Sequence, residues 1–505
     1  MKAKRTANNV GASIVEVIIA QIITLLVSRE VLNIYGSEIN GVNAVFTNII
    51  AWVLLLEGGF TFASSVSLFK AYASGDGTLA NKILSATKIA LRKIGFYVGL
   101  VGVVISLVFP LIIKADINYW DLVIMFLLMS FGTSFGLFYT RKYALMFSVK
   151  QQEYYKIYIS IVIAIIINIA VFFLARYHVN YLWIRVAFAL GVVLTGVLTF
   201  WVVKKKYSYV NYNEDPDFSQ IKGTKDMVFN KMITLLKSTA PLFYIAVAIG
   251  SVYASVYAVY MIIFGFLTKL CLMISNAAQN GFGQLIAEAD EKKVFPKFVL
   301  FEFIMLVFSF FLLSVAIPLT MPFIKFYTKN VVDVNYIEWS YLVLFSLVTI
   351  IPILHIPSGI IMLMSGAFKK AKQLQIYTLI IMVILVPLLG FFFSVQGVLC
   401  GLFLSELVLC IGEILYARNK YFKMNFFDLC KQILVISLIA LILVIIEIKI
   451  FDKNMTIIMI FTNILITTIV NGSVFVIVSR YLFKEHFFNA KKMLLSIIKP
   501  IKYAV

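Results

Sequence analysis

Five basic residues lie inside long apolar stretches of this sequence or at their ends: Arg29, Arg141, Arg185, Lys237 and Lys269. A charge at the centre of a membrane costs roughly 2.5 kcal/mol or more unless water, an anion or a partner compensates it. Such cations are therefore candidates for binding an anionic group such as a pyrophosphate. Two structural alternatives stay open. Arg29 could snorkel to the membrane surface, and Lys269 could pair with a buried acid such as Glu57.

Acidic residues and one histidine occupy similar positions. They are Glu16, Glu57, Glu302, Glu406, Glu413 and His355. A buried carboxylate or imidazole can titrate near neutral pH, so these residues are candidates for coupling transport to protons. His355 lies between Pro352 and Pro357, a spacing that indicates an irregular, solvent-lined segment. Hydrogen bonding between helices is the alternative role, which we favour for Glu406 and Glu413. No sequence feature identifies a Na⁺ site.

The elements that must position these residues are membrane helices. The chain has 505 residues, of which 62% are hydrophobic, and its mean hydropathy is +0.98. So few polar side chains could not cover a water-soluble globule. The formal charge of +20 resides mainly in short loops between apolar runs. This distribution is typical of orientation in a membrane and does not indicate nucleic-acid binding.

The apolar runs predict an all-α polytopic membrane protein. Runs of about 20 residues match the thickness of the hydrocarbon core. We predict fourteen spans: 9–30, 41–69, 94–113, 120–140, 157–176, 180–203, 229–250, 253–284, 297–322, 337–365, 374–394, 396–417, 428–450 and 455–481. Short turns are expected at Tyr35-Gly36, Gly250-Ser251 and Gln396-Gly397.

The spans predict two pseudo-symmetric six-helix bundles followed by two additional helices. The predicted parts are an N-terminal bundle (1–203), a cytoplasmic linker (204–228), a C-terminal bundle (229–417), two further helices (418–483) and a basic amphipathic tail on the cytoplasmic membrane surface (484–505). A weak similarity of the stretches 67–84 and 281–298 supports two related halves. In both, a span is followed by an acidic turn and then by the basic start of the next helix.

The positive-inside rule predicts the orientation. An even number of spans places both termini on one side, and most of the 44 Lys and Arg residues fall on that side, as in 204–206 and 369–372. Both termini are therefore expected in the cytoplasm.

The sequence contains no Walker A loop and no glycine-rich dinucleotide fingerprint. We therefore expect no cofactor, no ATP-driven step and no enzyme activity, with energy supplied by an ion gradient of H⁺ or Na⁺, by the membrane potential or by substrate flux. No metal site is expected. The one pattern of that kind, Asp215-Pro216-Asp217, lacks the nucleotide-binding domain that surrounds the Asp-x-Asp metal site of sugar transferases.

The segment 28–76 carries a family resemblance. It contains Arg29, YGSEINGVNAVFTNI from Tyr35 to Ile49, LLLEGG from Leu54 to Gly59, SLFK from Ser67 to Lys70, and Asp76. This order resembles the opening of the Wzx-like polysaccharide flippases, a branch of the multidrug/oligosaccharidyl-lipid/polysaccharide exporter superfamily. The sequence departs from the family pattern at Ala71-Tyr72, where a proline is usual, and at Gly58. These departures leave the subfamily open.

The resemblance implies a flippase of the bacterial inner membrane that moves an undecaprenyl-pyrophosphate-linked glycan to the outer leaflet by alternating access. The product would feed O-antigen or capsule biosynthesis, with polysaccharide assembly proteins and the lipid bilayer as partners. Two alternatives remain. A multidrug exporter of the same superfamily would favour an acidic cavity, which the basic residues oppose. A membrane glycan polymerase or ligase would need a long extracytoplasmic loop, and the longest predicted one, around 323–336, is short.

Overall fold

The computed structural model describes residues 2–221, 225–288, 291–451 and 455–490. Within those ranges the regular structure is entirely helical. The α-helices are α1 Lys2–Val53, α2 Leu55–Ala73, α3 Gly77–Val108, α4 Tyr119–Phe135, α5 Arg141–Val149, α6 Tyr154–Arg176, α7 Tyr181–Lys206, α8 Lys225–Tyr244, α9 Ser251–Glu288, α10 Glu291–Tyr327, α11 Trp339–Met364, α12 Phe368–Leu415, α13 Phe426–Ile450 and α14 Ile457–Leu482.

Eleven helical stretches in the described part of the chain are long and apolar enough to cross a membrane. The protein is therefore a multi-pass membrane protein, as its composition predicts. The number of helices that actually cross, predicted as fourteen, stays a prediction. One predicted span, 41–69, is divided between the end of α1 and α2, and 229–250 contains only the shorter apolar helix Leu235–Ile249.

Two of the longest helices contain a break. In α1 the backbone of Gly36 has φ of 82° and ψ of 175°, a conformation that essentially only glycine adopts. The expected turn at Tyr35-Gly36 is therefore present. In α12 the break falls at Phe393 and Ser394, a few residues before the turn predicted at Gln396-Gly397. Gly397 has a different role: it lets the parts of α12 before and after the break pack closely together. A Cβ atom at this position would lie 1.9 Å from the carbonyl oxygen of Leu389.

Residues 1–255 and 330–334 form one compact unit, called unit 1. In it α1 packs against α6 and α8, α3 against α2 and α4, and α7 against α4 and α6. Part of the core is formed by Leu68, Leu84, Met146, Phe147 and Val203. Small residues allow close helix contacts, as expected in a membrane where apolar burial alone does not drive association.

The short segment 330–334 of unit 1 binds the part of α1 that begins after the break at Gly36. The backbone N–H of Ser37 donates to Asp333 Oδ2 at 2.9 Å, and the Ser37 hydroxyl donates to Asp333 Oδ1 at 2.6 Å. The Asp333 carboxylate therefore caps the free N–H groups of the helix that begins after Gly36.

Residues 256–329 and 335–505 form the second compact unit, called unit 2, so that the boundary between the units falls within α9. In unit 2, α11 packs against α12, and α10 packs against α11, α13 and α14. Buried side chains of unit 2 include Cys271 of α9, together with Phe298, Met305, Ile353 and Ile361.

The predicted linker 204–228 is partly described. After α7 it runs as an irregular stretch into a short 3₁₀ helix, Phe218–Ile221. It packs on the first half of α3, where Lys88 Nζ donates to Asn213 Oδ1 at 2.7 Å. Of the predicted amphipathic tail, residues 491–505 lie outside the described residues.

Candidate cavity and buried ionisable clusters

A cavity of about 440 Å³ lies within unit 1, a volume in the range of small-ligand sites. Its wall is formed by helices α4, α5, α6 and α7 and by Leu54, which lies between α1 and α2. The lining residues that carry a polar or charged side chain are Thr133, Thr140, Arg141, Lys156, Ser160, Asn168 and Thr195. Apolar side chains and small residues such as Gly132 and Gly191 form the rest. None of the described lining residues carries a carboxylate.

A π-helix, Gly136–Thr140, forms part of this wall and joins α4 to α5. Single π turns within α-helices occur frequently at functional sites because they widen the helix and redirect its side chains. The turn ends directly before Arg141. The hydroxyl of Thr140 is buried and has no hydrogen-bond partner among the described residues.

Arg141 is held by an acid from α2. One of its terminal nitrogens lies 3.7 Å from Glu57 Oε2, and the Glu57 side chain is only 7% exposed whereas that of Arg141 is 41% exposed. The hydroxyl of Thr61 donates to Glu57 Oε1. Glu57 thus bridges two helices of unit 1, and Arg141 keeps accessible donors for the cavity.

The donors of this cavity suit an anion. Arg141 and Lys156 are cations, and Thr140 and Ser160 carry hydroxyl groups that are not used in hydrogen bonds to described residues. Guanidinium and ammonium groups form charge-assisted hydrogen bonds with phosphate oxygens. Of the five predicted substrate-binding cations, Arg141 is the one that lines the cavity. Sequence analysis missed Lys156, because its position at the start of a span looks like an ordinary basic loop residue.

Arg185 lies on α7 and is buried, with 7% of its surface exposed. Its terminal nitrogen donates to Asn43 Oδ1 and to the Tyr181 hydroxyl. The guanidinium also lies over the rings of Tyr181, at 5.1 Å, and Phe188, at 5.6 Å. These contacts hold Arg185 in a polar network beside the cavity, whose lining includes Phe188.

The remaining predicted cations lie elsewhere. Arg29 is partly buried and lies 4.0 Å from Glu30. Glu30 also forms an ion pair with Arg176 at 3.4 Å. Lys237 is half-buried on α8 in unit 1. Lys269 is exposed on α9 and forms no ion pair with a described residue of unit 2. Of the acids, Glu16 is half-buried in the first part of α1.

A buried cluster in unit 2 joins three predicted titratable residues. His355 on α11 lies between two glutamates of α12, with Nδ1 2.8 Å from Glu413 Oε2 and Nε2 3.4 Å from Glu406 Oε1. All three side chains are largely buried. The expected irregular segment around His355 is not found, because α11 continues through Pro352 and Pro357 as a helix. The cluster is therefore enclosed between helices.

Glu302 on α10 belongs to a separate buried pair. Arg418 Nε donates to Glu302 Oε1 at 3.2 Å, and a terminal nitrogen of Arg418 donates to Glu302 Oε2. A further nitrogen donates to the carbonyl oxygen of Asn425 at 2.9 Å. Arg418 follows a predicted span, as an ordinary basic loop residue would, but its side chain is 1% exposed. No local signal distinguishes it from its neighbour Lys420.

The segment that carried the family resemblance forms close contacts in unit 1. Glu38 Oε1 accepts the backbone N–H of Asp116 and, at 3.2 Å, the hydroxyl of Ser251. A Cβ atom on Gly41 would lie 1.8 Å from the carbonyl oxygen of Ser251. Only glycine therefore fits at this position, where α1 meets the start of α9.

Comparison with solved structures identifies the fold. The fold is similar to that of an inward-facing multidrug resistance MATE family transporter of the MOP superfamily, with a TM-score of 0.62, 14% identity and coverage of 79% of this chain and 94% of that one. An outward-facing MATE family transporter has a TM-score of 0.51 at 12% identity, covering 83% and 95%.

One particular structure covers nearly the whole chain. Lipid II flippase MurJ, in an inward closed conformation, has a TM-score of 0.66 at 15% identity and covers 94% of this chain and 100% of that one. No family model matches the sequence, and no curated protein matches it. These comparisons show that the chain shares its fold with a lipid II flippase and with MATE family transporters. The Wzx-like branch stays a prediction.

Proposed function

We propose that this protein is a flippase that moves an undecaprenyl-pyrophosphate-linked oligosaccharide from the cytoplasmic to the outer leaflet of a bacterial inner membrane by alternating access. The product serves the assembly of a surface polysaccharide, O-antigen or capsule, together with polysaccharide assembly proteins. The fold it shares with a lipid II flippase supports this proposal. So does the motif resemblance of the segment 28–76.

The observation that carries the proposal is the cavity of unit 1, whose described lining residues include cations and hydroxyl donors but no carboxylate. A pyrophosphate needs compensating charge to pass through a low-dielectric region. Arg141 and Lys156 provide two positive charges at one site. The 440 Å³ volume exceeds the needs of an ion and suits a phosphorylated head group.

A multidrug exporter is the second candidate, because MATE family transporters share the fold. A cationic drug would be repelled by Arg141 and Lys156, and the lining offers it no carboxylate. A membrane polymerase or ligase is less well supported, since the structural neighbours are transporters and flippases.

The proposed organisation follows the predicted one. Fourteen spans form two six-helix bundles (1–203 and 229–417), joined by the linker 204–228 and followed by two helices within 418–483. Both termini and the linker lie in the cytoplasm.

Labelling of single cysteines tests this orientation. In a cysteine-free background, Glu214→Cys should react with a membrane-impermeant maleimide only after the membrane is opened, and Val332→Cys should react in intact right-side-out vesicles. Both positions are exposed, Val332 by 95%, so access to the reagent depends on the side of the membrane. Labelling of Glu214→Cys from outside would overturn the orientation.

Reconstitution tests the function. Proteoliposomes that contain the purified protein and a fluorescent undecaprenyl-pyrophosphate trisaccharide should expose more of the probe to an impermeant quencher than protein-free liposomes do. The matched control is the same trisaccharide on undecaprenol without phosphate, which should not be moved, because it lacks the charge that the cavity recognises. Equal movement of both lipids would contradict the proposal. So would efflux of ethidium, a cationic drug, combined with movement of neither lipid.

A further inference from the structure

Three cations of unit 1 lie close together where the linker packs on α3. They are Lys88 and Arg92 of α3 and Lys142 of α5, and the charges of Lys88 and Arg92 are near enough to Lys142 to repel it. None of the three forms an ion pair with a carboxylate in the described part of the chain. Like charges therefore lie side by side without the anion that would offset their repulsion.

Lys142 is the buried member of this basic cluster, with only 2% of its surface exposed. Its ammonium nitrogen lies 5.3 Å from the ring centre of Tyr139 and 4.9 Å from that of Tyr143. It donates no hydrogen bond to a described residue. The faces of aromatic rings attract a cation but do not neutralise its charge. A buried charge without a counter-ion is costly, so the cluster favours a bound anion.

Arg92 and Lys88 supply donors nearer the surface. The Arg92 side chain is exposed and lies over the ring of Phe138 at 5.5 Å. Lys88 is half-buried, and its Nζ donates to Asn213 Oδ1 at 2.7 Å and to the carbonyl oxygen of Tyr212 at 3.3 Å. Both acceptors are neutral, so the charge of Lys88 is not compensated. The planar guanidinium of Arg92 suits two oxygens of one phosphate group.

The surface of α3 changes from charged to apolar directly after these cations. Arg92 and Lys93 are exposed, and the exposed side chains Phe96, Leu100 and Val104 follow Arg92 at intervals of four residues. Residues at this spacing lie on one face of a helix. An apolar stripe of α3 (Phe96, Leu100 and Val104) thus extends from Arg92 into the membrane. Arg92 therefore lies at the level of the lipid head groups.

This combination of cations and apolar stripe favours one kind of anion. A free phosphate would contact the cations alone, whereas a phospholipid would also cover the stripe with an acyl chain. A zwitterionic head group carries a positive charge that the cluster repels. Basic pockets beside membrane helices on the cytoplasmic side are typical sites for anionic head groups, and the proposed orientation places this cluster on that side.

The basic cluster is separate from the cavity of unit 1. Arg141 lines the cavity, whereas its neighbour Lys142 is not among the described lining residues. Successive residues of a helix point roughly 100° apart. Helix α5 therefore directs one cation toward the cavity and the next toward α3 and the linker.

From this geometry we infer that Lys88, Arg92 and Lys142 form a binding site for the phosphate group of an anionic phospholipid, whose acyl chain lies along the apolar stripe of α3. Because Lys88 also binds the linker through Tyr212 and Asn213, the bound lipid helps to hold the linker on unit 1. The site is independent of the substrate that the protein moves.

Thermal unfolding of the purified full-length protein tests this site. A ligand that binds only the folded state raises Tm. In lipid-depleted detergent solution, dioleoyl phosphatidylglycerol should raise Tm, and dioleoyl phosphatidylcholine and inorganic phosphate should have little effect. Equal stabilisation by phosphatidylcholine would overturn the inference, because the cations would then be irrelevant. Equal stabilisation by inorganic phosphate would also overturn it, because the site would then bind a free anion.

A matched pair of variants tests the surface cation. Arg92→Gln should weaken the binding of phosphatidylglycerol, measured by native mass spectrometry, about tenfold or more, because it removes charge-assisted hydrogen bonds. Lys93→Gln is the control. It removes the same charge from the same turn of α3 but in another direction, and it should change the affinity little. Unchanged affinity in Arg92→Gln would overturn the inference.

Lys142→Met tests the buried cation through two effects of opposite sign. Without lipid the variant should have a higher Tm than the wild type, because methionine keeps the apolar volume and removes an uncompensated charge. Its affinity for phosphatidylglycerol should be lower. A lower Tm together with unchanged affinity would show that Lys142 serves packing, and the inferred site would be rejected.

The outcome of these experiments is separable from that of the flippase assay. Binding of phosphatidylglycerol that depends on Arg92, combined with no movement of the pyrophosphate probe, supports the lipid site and rejects the proposed substrate. An active flippase whose Tm does not respond to phosphatidylglycerol rejects the lipid site alone. Displacement of phosphatidylglycerol by the pyrophosphate probe at equal concentration would also overturn the inference, since the cluster would then be a substrate site.

Discussion

Arg418→Ala is expected to lower the free energy of unfolding by about 3–5 kcal/mol, because removing one partner of a buried ion pair leaves the other charge uncompensated. The Arg418 side chain is 1% exposed and that of Glu302 is 3% exposed. The guanidinium contacts both carboxylate oxygens and the carbonyl oxygen of Asn425. Alanine would therefore leave both a carboxylate and a carbonyl group without their donor. Denaturant titration of the purified protein, with membrane abundance as a second readout, measures the loss.

Two further variants separate charge from packing. The double variant Glu302→Leu, Arg418→Met removes both charges while keeping apolar volume, and it should recover most of the stability. Arg480→Ala is the matched control, because Arg480 is exposed on α14 and its loss should change stability by no more than about 0.5 kcal/mol. A double variant as unstable as Arg418→Ala would show that the shape of the arginine, and not its charge, is required.

Arg141→Ala is expected to lower the flux of the pyrophosphate probe roughly 10- to 100-fold. A hydrogen bond to a charged group contributes about 1.5–3 kcal/mol, and each 1.4 kcal/mol corresponds to a factor of about ten. Arg141→Lys should retain part of the activity, because it keeps the positive charge but loses the planar pair of donors. Arg176→Ala is the control: its side chain is 71% exposed and lies outside the cavity lining.

The Glu57 contact requires its own comparison, because Arg141→Ala also leaves that buried carboxylate without its cation, 3.7 Å away in the wild type. Glu57→Gln alone should keep most of the flux at normal abundance. Glu57→Gln combined with Arg141→Ala should restore abundance without restoring flux. Restored flux in the double variant would show that Arg141 serves only to neutralise Glu57, and the anion-binding role of the cavity would be rejected.

Local features of this protein could be predicted from its sequence. Length and hydropathy indicated a multi-pass helical membrane protein, because a chain with so few polar residues can satisfy its backbone in lipid only through helices or a closed barrel. The turns at Gly36 and Gly250 also followed from the sequence, and both residues adopt positive φ. Asp76, which ends the motif segment 28–76, caps the start of α3 by accepting the backbone N–H of Leu79. Each of these features depends on residues close together in the chain.

The pairing of the ionisable residues was decided by the tertiary structure. The sequence marked Glu57, His355, Glu302 and Glu406 as unusual, but it could not show that Arg141, Glu413 and Arg418 are their partners. Apolar residues surround these helices on all sides, so the hydropathy pattern does not specify how each helix is rotated about its axis. Rotation and register are set by packing, as where Gly359 makes room for Glu413. A charge inside a membrane helix is therefore visible in the sequence, whereas the group that compensates it is fixed only when the helices pack.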